Sequence, residues 1–204
     1  MFTGLIRSTG LLREREGKHI WIECAAASMQ LSIGDSVAVN GVCLTVARLT
    51  DEGWGADLLD ETLSITSLGK LPIGCRLNLE PAMRLGDSLG GHMLSGHVEC
   101  HGSVVSKVWR NGGDCALTVA IPATLNTYMM HKGSIAIDGV SLTIQEVDGN
   151  NVRVELIPET LAATNLAAIN EGDPVNIEPD MLMKSVHHSV EMILAAREKR
   201  TEQE

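Results

Sequence analysis

Residues 36–46 read SVAVNGVCLTV, and residues 134–144 read SIAIDGVSLTI. The two stretches match at a separation of 98, and the match runs without a gap through residues 34–83 and 132–181, with 17 identities in 50 positions. Ordinary composition would give about three or four identities over that length. Because an internal repeat fixes the architecture, we interpret the chain as two copies of one unit.

The beginnings of the two copies correspond as well. Residues 3–6 read TGLI and residues 95–98 read SGHV, at a separation of 92. The difference between 98 and 92 means that the second copy has six additional residues before Ser134. The predicted units are therefore residues 1–90 and 91–182, followed by a tail at 183–204.

Each unit has the pattern of short β-strands. Apolar and polar residues alternate in short runs bounded by Gly, Asn and Asp, which is typical of half-buried strands. The pairs Asn40-Gly41 and Asp138-Gly139 tolerate the positive φ angles of tight hairpin turns. A closed barrel removes exposed strand edges. The sequence therefore predicts an all-β fold, two tandem six-stranded Greek-key barrels produced by duplication, plus a C-terminal α-helix.

The tail is predicted to be that helix. Val186, Val190, Ile193 and Leu194 recur at helical spacing, and the following residues are polar helix formers. Two roles remain open for its apolar side: association between chains, as in trimerisation, or docking on the chain's own barrel.

The composition excludes several classes of function. The chain has 204 residues, a net charge of −10 and only 2% aromatic residues, which argues against nucleic acid as a partner. No run of about 18 apolar residues exists that would span a membrane, and five cysteines without a CxxC pair fit reduced thiols. We therefore expect a cytoplasmic protein with no membrane partner.

Five motifs in register carry a family resemblance. They are residues 1–6 (MFTGLI), 40–46 (NGVCLTV), 90–98 (GGHMLSGHV), 132–135 (KGSI) and 137–143 (IDGVSLT). Together they resemble riboflavin synthase of the alpha-chain type, and the resemblance extends to about residue 184.

The resemblance implies a specific reaction. Two molecules of 6,7-dimethyl-8-ribityllumazine dismutate: one gives a four-carbon unit to the other, which yields riboflavin and 5-amino-6-(D-ribitylamino)uracil. It implies no cofactor and no metal. It also implies a homotrimer in which the N-terminal barrel of one chain faces the C-terminal barrel of a neighbour, so that two homologous pockets present two identical substrates to each other.

The resemblance also implies which segments bind the substrate, in equivalent positions of the two copies. Backbone amides and hydroxyls would bind the ring's polar atoms, and Leu and Ile would cover its faces. The expected contacts are Phe2, Gly4, Leu5, Ile6, Ser36, Cys43, Leu44, Thr45, Asp57, Leu58, Leu59, Asp60, Glu61, Thr62, Gly96, His97, Val98, Lys132, Asp138, Ser141, Leu142, Thr143, Glu155, Leu156, Ile157, Pro158, Glu159 and Thr160.

Three of these residues are candidates for catalysis. His97 could assist the transfer of a proton from a substrate methyl group. Cys43 or Ser141 could supply or position a nucleophile, with water as the competing candidate. The structural alternative for Cys43 is a buried strand residue. The copies differ at these positions, because His97 corresponds to Leu5 and Cys43 to Ser141.

A metal site is the alternative interpretation of His92, His97, Cys100 and His101, which lie within ten residues of one another. Their spacing matches no zinc pattern, and alternate strand residues point to opposite faces. We therefore expect no metal.

Two rival functions fit parts of the pattern. A non-catalytic lumazine-binding antenna protein would have one degraded pocket, whereas both pocket sets are intact here. A flavin-dependent reductase would need a dinucleotide-binding partner domain, and the chain has no GxGxxG motif to supply one. Residues 1–90 contain one whole copy, so this unit alone is expected to fold and bind lumazine while forming little riboflavin.

Overall fold

The computed structural model describes residues 1–24 and 29–201. The first half of the repeat forms an antiparallel sheet with the order β4-β3-β7-β1-β2-β6-β5. Its strands are β1 (Ser8–Glu16), β2 (His19–Glu23), β3 (Ser36–Val39), β4 (Val42–Thr45), β5 (Arg48–Leu49), β6 (Gly53–Asp57) and β7 (Arg76–Pro81).

The second half forms a closed antiparallel barrel with the order β10-β11-β12-β9-β8-β13. Its strands are β8 (Cys100–Trp109), β9 (Cys115–Ala120), β10 (Ser134–Ile137), β11 (Val140–Asp148), β12 (Asn151–Leu156) and β13 (Pro174–Pro179).

The two sheets share one topology and differ at one strand. In the second barrel β11 is continuous, with an irregularity between Ile144 and Glu146. At the equivalent place the first copy has a break, so β4 and β5 are separate and the sheet has seven strands in an open, barrel-like ladder. Ala47 in the break still donates to the Gly55 carbonyl at 2.9 Å. The prediction of a duplicated, mostly β fold is confirmed, although only the second ladder closes with six strands.

Within residues 30–201, three α-helices accompany the strands. They are α1 (Asp60–Ile65), α2 (Pro158–Ala163) and α3 (Met181–Thr201). A short 3-10 turn follows α1 at Ser67–Gly69, and another follows α2 at Asn165–Ala167. The predicted C-terminal helix is confirmed, and it begins two residues before residue 183.

Each barrel has its own apolar core. The first contains Trp54, Leu77 and Leu79, and the second contains Leu117, Ile135 and Val152, all essentially inaccessible to solvent. A third, small cluster lies between the barrels and consists of Phe2, Ala38, Leu94 and Ala136.

Helix α3 contacts its own chain near its beginning. The His187 ring meets the Tyr128 ring edge-on, with centroids 5.3 Å apart, and Lys184 pairs with Glu99. Farther along, the apolar side chains of Val190, Ile193 and Leu194 are about half exposed. None of the helices in the described part of the chain is long and apolar enough to cross a membrane.

Candidate functional sites

Alternation along β4 places two candidate residues outside the first barrel. Leu44 points into the core, whereas Cys43 and Thr45 lie on the opposite face. On the neighbouring strand β3, Ala38 is paired with Cys43, and Ser36 with Thr45. We call the outward residues Ser36, Ala38, Cys43 and Thr45 the first-copy face.

The second barrel repeats this arrangement. Leu142 is in the core, and Ser141 and Thr143 point outward, opposite Ala136 and Ser134 of β10. These four outward residues form the second-copy face. In both copies, therefore, the outward face presents one Cys or Ser and two further hydroxyl side chains.

The segment that completes each face comes from the other copy. The Cys43 amide donates to the Gly96 carbonyl at 2.8 Å, and the Ser141 amide donates to the Gly4 carbonyl at 2.9 Å. Val98 belongs to the first barrel's core, and Ile6 packs against the second. In the full chain, the segment with His97 that lies on the first-copy face belongs to the second half of the repeat. Whether residues 1–90 alone fold and bind lumazine stays a prediction.

Phe2 is buried beneath the segment around Gly96, which lies on the first-copy face. Its side chain is 1% exposed, and its backbone exchanges two hydrogen bonds with Leu94 at 2.8 and 3.0 Å. A Cβ atom added at Gly96 would lie 2.9 Å from the Phe2 ring and 2.6 Å from Cβ of Cys43. Phe2 is thus packed under the Gly96 backbone, and in this arrangement its ring is not free to stack on a ligand.

Two buried carboxylates hold the segments at Thr3–Gly4 and Ser95–Gly96, each of which lies against the other copy. We call these two stretches the crossing segments. Glu80 accepts from the amide and hydroxyl of Thr3, both at 2.7 Å, and from the Gly4 amide at 3.0 Å. Glu178 accepts from the same three groups of Ser95 and Gly96, at 2.7, 2.7 and 3.1 Å. Burial raises the pKa of Glu80, although the donated hydrogen bonds oppose that shift.

The two hairpin turns meet back to back between the barrels. Asn40 and Asp138 have φ angles of 45° and 46°, and the following Gly41 and Gly139 have 81° and 76°. A Cβ atom on Gly41 would lie 2.8 Å from the Gly139 amide nitrogen. Asp138 is 2% exposed, so its carboxylate is part of this junction and does not face a ligand.

Side chains of the other candidates are divided between the cores and the surface. Leu44, Leu58, Val98, Leu142 and Leu156 lie in the barrel cores, so only their backbones could contact a ligand. The candidates at the beginning of α1 and α2 and just before them are exposed or half-buried, namely Leu59, Asp60, Glu61, Thr62, Ile157, Pro158, Glu159 and Thr160. Leu5 and His97, at equivalent crossover positions, are also exposed.

Candidate carboxylates at the ends of β6 and β12 are paired with basic side chains. Asp57 Oδ1 lies 2.5 Å from His19 Nδ1 and 3.5 Å from an Arg48 nitrogen. Glu155 Oε1 lies 2.5 Å from Arg153 and 3.0 Å from Arg110. These pairs limit the orientations that either carboxylate can adopt.

Lys132 occupies an unusual backbone position beside the second-copy face. Its φ angle is 65°, a region that favours glycine, and the equivalent residue Gly34 has a φ angle of 94°. The Lys132 amide donates to the Ile144 carbonyl at 2.8 Å, and its ammonium donates to Gln145 Oε1 at 2.5 Å. The exposed ammonium is therefore held next to the outer face of β11.

His92 touches the second-copy face although sequence reasoning did not place it there. Its Nδ1 lies 2.7 Å from the Ser141 hydroxyl, and burial lowers its pKa while nearby Asp180 opposes the shift. A separation of 92 leaves it without a counterpart in the first copy. That absence was the available signal, because a residue unique to one copy can distinguish the two sites.

The four residues considered for a metal site have different surroundings. His92 contacts Ser141, His97 is exposed, and His101 Nε2 lies 2.7 Å from Lys70 Nζ. Burial raises the pKa of Cys100 to about 11, which disfavours a thiolate ligand. Within residues 1–24 and 29–201, no group of three or more potential ligands could hold a metal ion.

Comparison with protein families assigns both halves to one class. The lumazine binding domain family matches residues 3–82 and again residues 95–180. The crystal structure of LumP complexed with riboflavin has the same fold, with a TM-score of 0.81 at 24% identity, covering 88% of this chain and 99% of that chain.

Full-length relatives narrow the class further. Riboflavin synthase of Photobacterium leiognathi is 43% identical over 189 residues, covering 90% of this chain and 86% of its own. Riboflavin synthase of Escherichia coli K12 is 38% identical over 204 residues, covering 97% and 95%. The chain belongs to the riboflavin synthase family.

Proposed function

We propose that the chain catalyses the dismutation of two 6,7-dimethyl-8-ribityllumazine molecules, forming riboflavin and 5-amino-6-(D-ribitylamino)uracil. The riboflavin synthases of Photobacterium leiognathi and Escherichia coli match both of its halves, which makes it a transferase. The observation that carries the proposal is the presence of two homologous but unlike faces, Cys43 with His97 and Ser141 with Leu5. Two copies of one substrate must play different parts in this reaction, and two unlike faces of common origin suit that requirement.

The proposed chemistry uses the groups at these faces. One lumazine loses a proton from its C7 methyl group and becomes the nucleophilic partner, and the exposed imidazole of His97 moves this proton. Cys43 and Ser141 bind or activate the attacking group at the other ring. Thr45, Thr143 and Lys132 bind polar atoms of the substrates. No cofactor or metal enters the reaction, and the five unpaired thiols suit a cytoplasmic enzyme.

We also propose that the chains form a homotrimer through α3. Leu182, Val186, Val190, Ile193 and Leu194 are each roughly half exposed or more, and covering them between chains would remove apolar surface from water. In the proposed trimer a face-to-face pair of sites is supplied by two chains. Light scattering of the wild type and of Val190→Glu tests this, and a monomeric wild type contradicts it.

The test of the activity is incubation of the purified chain with the lumazine alone. We expect one riboflavin for every two lumazines consumed, followed by absorbance and fluorescence, with no change when a chelator is added. An antenna protein would instead bind the lumazine and return it unchanged. A strict requirement for a metal or a nucleotide contradicts the proposed chemistry.

Variants at the two faces assign the roles. Cys43→Ala should lower kcat more than it raises KM if the thiol acts in the transition state, and Cys43→Ser, which copies the second face, is the matched control. His97→Leu, which copies Leu5, should lower kcat by about 10²-fold or more. If kcat is unchanged in Cys43→Ala, the thiol takes no part in the reaction and Cys43 has only a packing role.

A further inference from the structure

The C-terminal end of α1 is held by a side chain from the opposite barrel. The carbonyl of Ile65, the last residue of α1, lies 3.1 Å from Nδ1 of His101 on β8. The same ring reaches Lys70 Nζ with Nε2 at 2.7 Å. Carbonyl groups at the last turn of a helix lack partners within the helix and need one outside it.

These two contacts define the state of the His101 ring. A carbonyl oxygen only accepts, so Nδ1 carries the proton that is donated to Ile65. The Lys70 ammonium only donates, so Nε2 accepts and carries no proton. With this assignment of the ring nitrogens, His101 bridges the two barrels, and each nitrogen bonds one partner.

The second copy has an equivalent anchor built from another strand. Arg76 on β7 of the first barrel donates to the Ala162 carbonyl near the end of α2, at 3.2 Å. The residues that follow the helices are anchored across the junction too. The Ser67 amide donates to the Asn176 side chain, and the Asn165 amide to the Asn78 side chain, each at 2.7 Å.

We propose that His101 is a positioning residue for the first-copy site, because it fixes from the opposite barrel the helix that carries Asp60, Glu61 and Thr62. The inference rests on the proposed function in one respect, namely that α1 borders a substrate site. Each helix is then held by a residue of the other barrel: His101 of the second barrel holds α1, and Arg76 of the first barrel holds α2. We call this the crossed pattern.

Hydrogen–deuterium exchange of the full chain tests the crossed pattern without any substrate. In His101→Ala the amides of Leu63 and Thr66, which bond within α1, should exchange about three- to tenfold faster, the loss expected for one hydrogen bond. The α2 amide of Leu161 should not change. In Arg76→Ala the pattern should reverse. Equal acceleration in both helices, or none in α1, contradicts the proposal.

Kinetics with the lumazine test the link to the site. His101→Ala should raise KM about three- to tenfold with kcat within twofold, since a loosened α1 weakens binding more than chemistry. His101→Asn should restore most of the KM, because its amide can donate from the position of Nδ1. An Asn variant no better than Ala, or a loss confined to kcat, overturns the proposal. A wild type that makes no riboflavin contradicts the proposed function instead, and the exchange result stands apart from it.

Discussion

The hairpin turns of the two barrels have the same backbone but different buried partners. Asp138 Oδ1 accepts from the Asn176 amide at 2.8 Å, and Oδ2 accepts from Asn165 Nδ2 at 2.7 Å. In the first copy Asn40 Oδ1 accepts from the Asn78 amide at 2.7 Å. The backbone bond is thus conserved between the copies, while the second side-chain bond exists only in the second.

The first copy leaves two side-chain polar atoms of this network unpaired. Asn40 Nδ2 and the hydroxyl of Ser67, which corresponds to Asn165, are buried without a hydrogen-bond partner among the described residues. An unpaired buried polar atom costs free energy. Both copies therefore keep the turn and the side-chain oxygen that accepts from a backbone amide. The other side-chain hydrogen bonds differ between the copies.

The largest effect is expected from separating the copies. Residues 1–90 lack the segment around Gly96 that lies on Cys43, but Gly4 of a second fragment has a matching φ angle, 74° against 78°. We expect the fragment to bind lumazine only as a dimer and to form no riboflavin, because both faces would then be alike. Binding titrations at several fragment concentrations, with sedimentation analysis, measure this. Full-affinity binding by a monomer contradicts the crossover.

The next effect concerns the carboxylates that hold the crossing segments. Glu80→Ala and Glu178→Ala should each lower the free energy of unfolding by about 4 kcal/mol, because three buried donors lose their acceptor. The two losses should agree within about 1 kcal/mol, since the hydrogen bonds are equivalent in the two copies. Urea unfolding gives both values. A large difference between them would show that the copies hold these segments in different ways.

The contact between the two turns is expected to be nearly as sensitive. Gly41→Ala and Gly139→Ala each bring a methyl group within 3 Å of the opposite turn's backbone, at a positive φ angle. We expect a loss of about 3 kcal/mol from overpacking and strain. Gly17→Ala is the matched control, because it has a φ angle of 58° and open space around the added atom, so only about 1 kcal/mol should be lost. Similar losses in all three variants would exclude a tight junction.

The smallest effect tests the difference between the turns through pH. Burial raises the pKa of Asp138 to about 6, whereas an unfolded Asp titrates near about 4. Below about pH 4 the carboxyl is mostly neutral in both states, and between about pH 4 and 6 it is ionised mainly in the unfolded state. The contribution of Asp138 to the free energy of unfolding therefore falls by up to about 3 kcal/mol as the pH rises from about 4 to 7.

The double variant Asp138→Asn with Asn165→Ser copies the first turn and removes this ionisation. As the pH rises over that range, the free energy of unfolding of the wild type should therefore fall relative to that of the double variant. A constant difference shows that Asp138 does not titrate there. The single variant Asp138→Asn is the control, since its amide would face the Nδ2 group of Asn165 as a second donor.

The sequence by itself determined the duplication, the β class and the turns. Residues 36–46 and 134–144 repeat, and Asn-Gly and Asp-Gly have few alternatives to a tight hairpin. Local rules sufficed for these features, since each depends on neighbours close in the chain.

Only the tertiary structure decided how the copies combine. A repeat shows that Gly4 corresponds to Gly96 but not that each lies against the other copy, because two homologous barrels offer two equivalent positions for either segment. The burial of Phe2 follows from that exchange, and the burial of Asp138 follows from the contact between the two hairpin turns. The bridge from His101 to Ile65 also joins residues distant in sequence, and its geometry depends on how the two barrels pack. Long-range packing leaves no periodic signal in a single sequence, so these contacts became visible only in the tertiary structure.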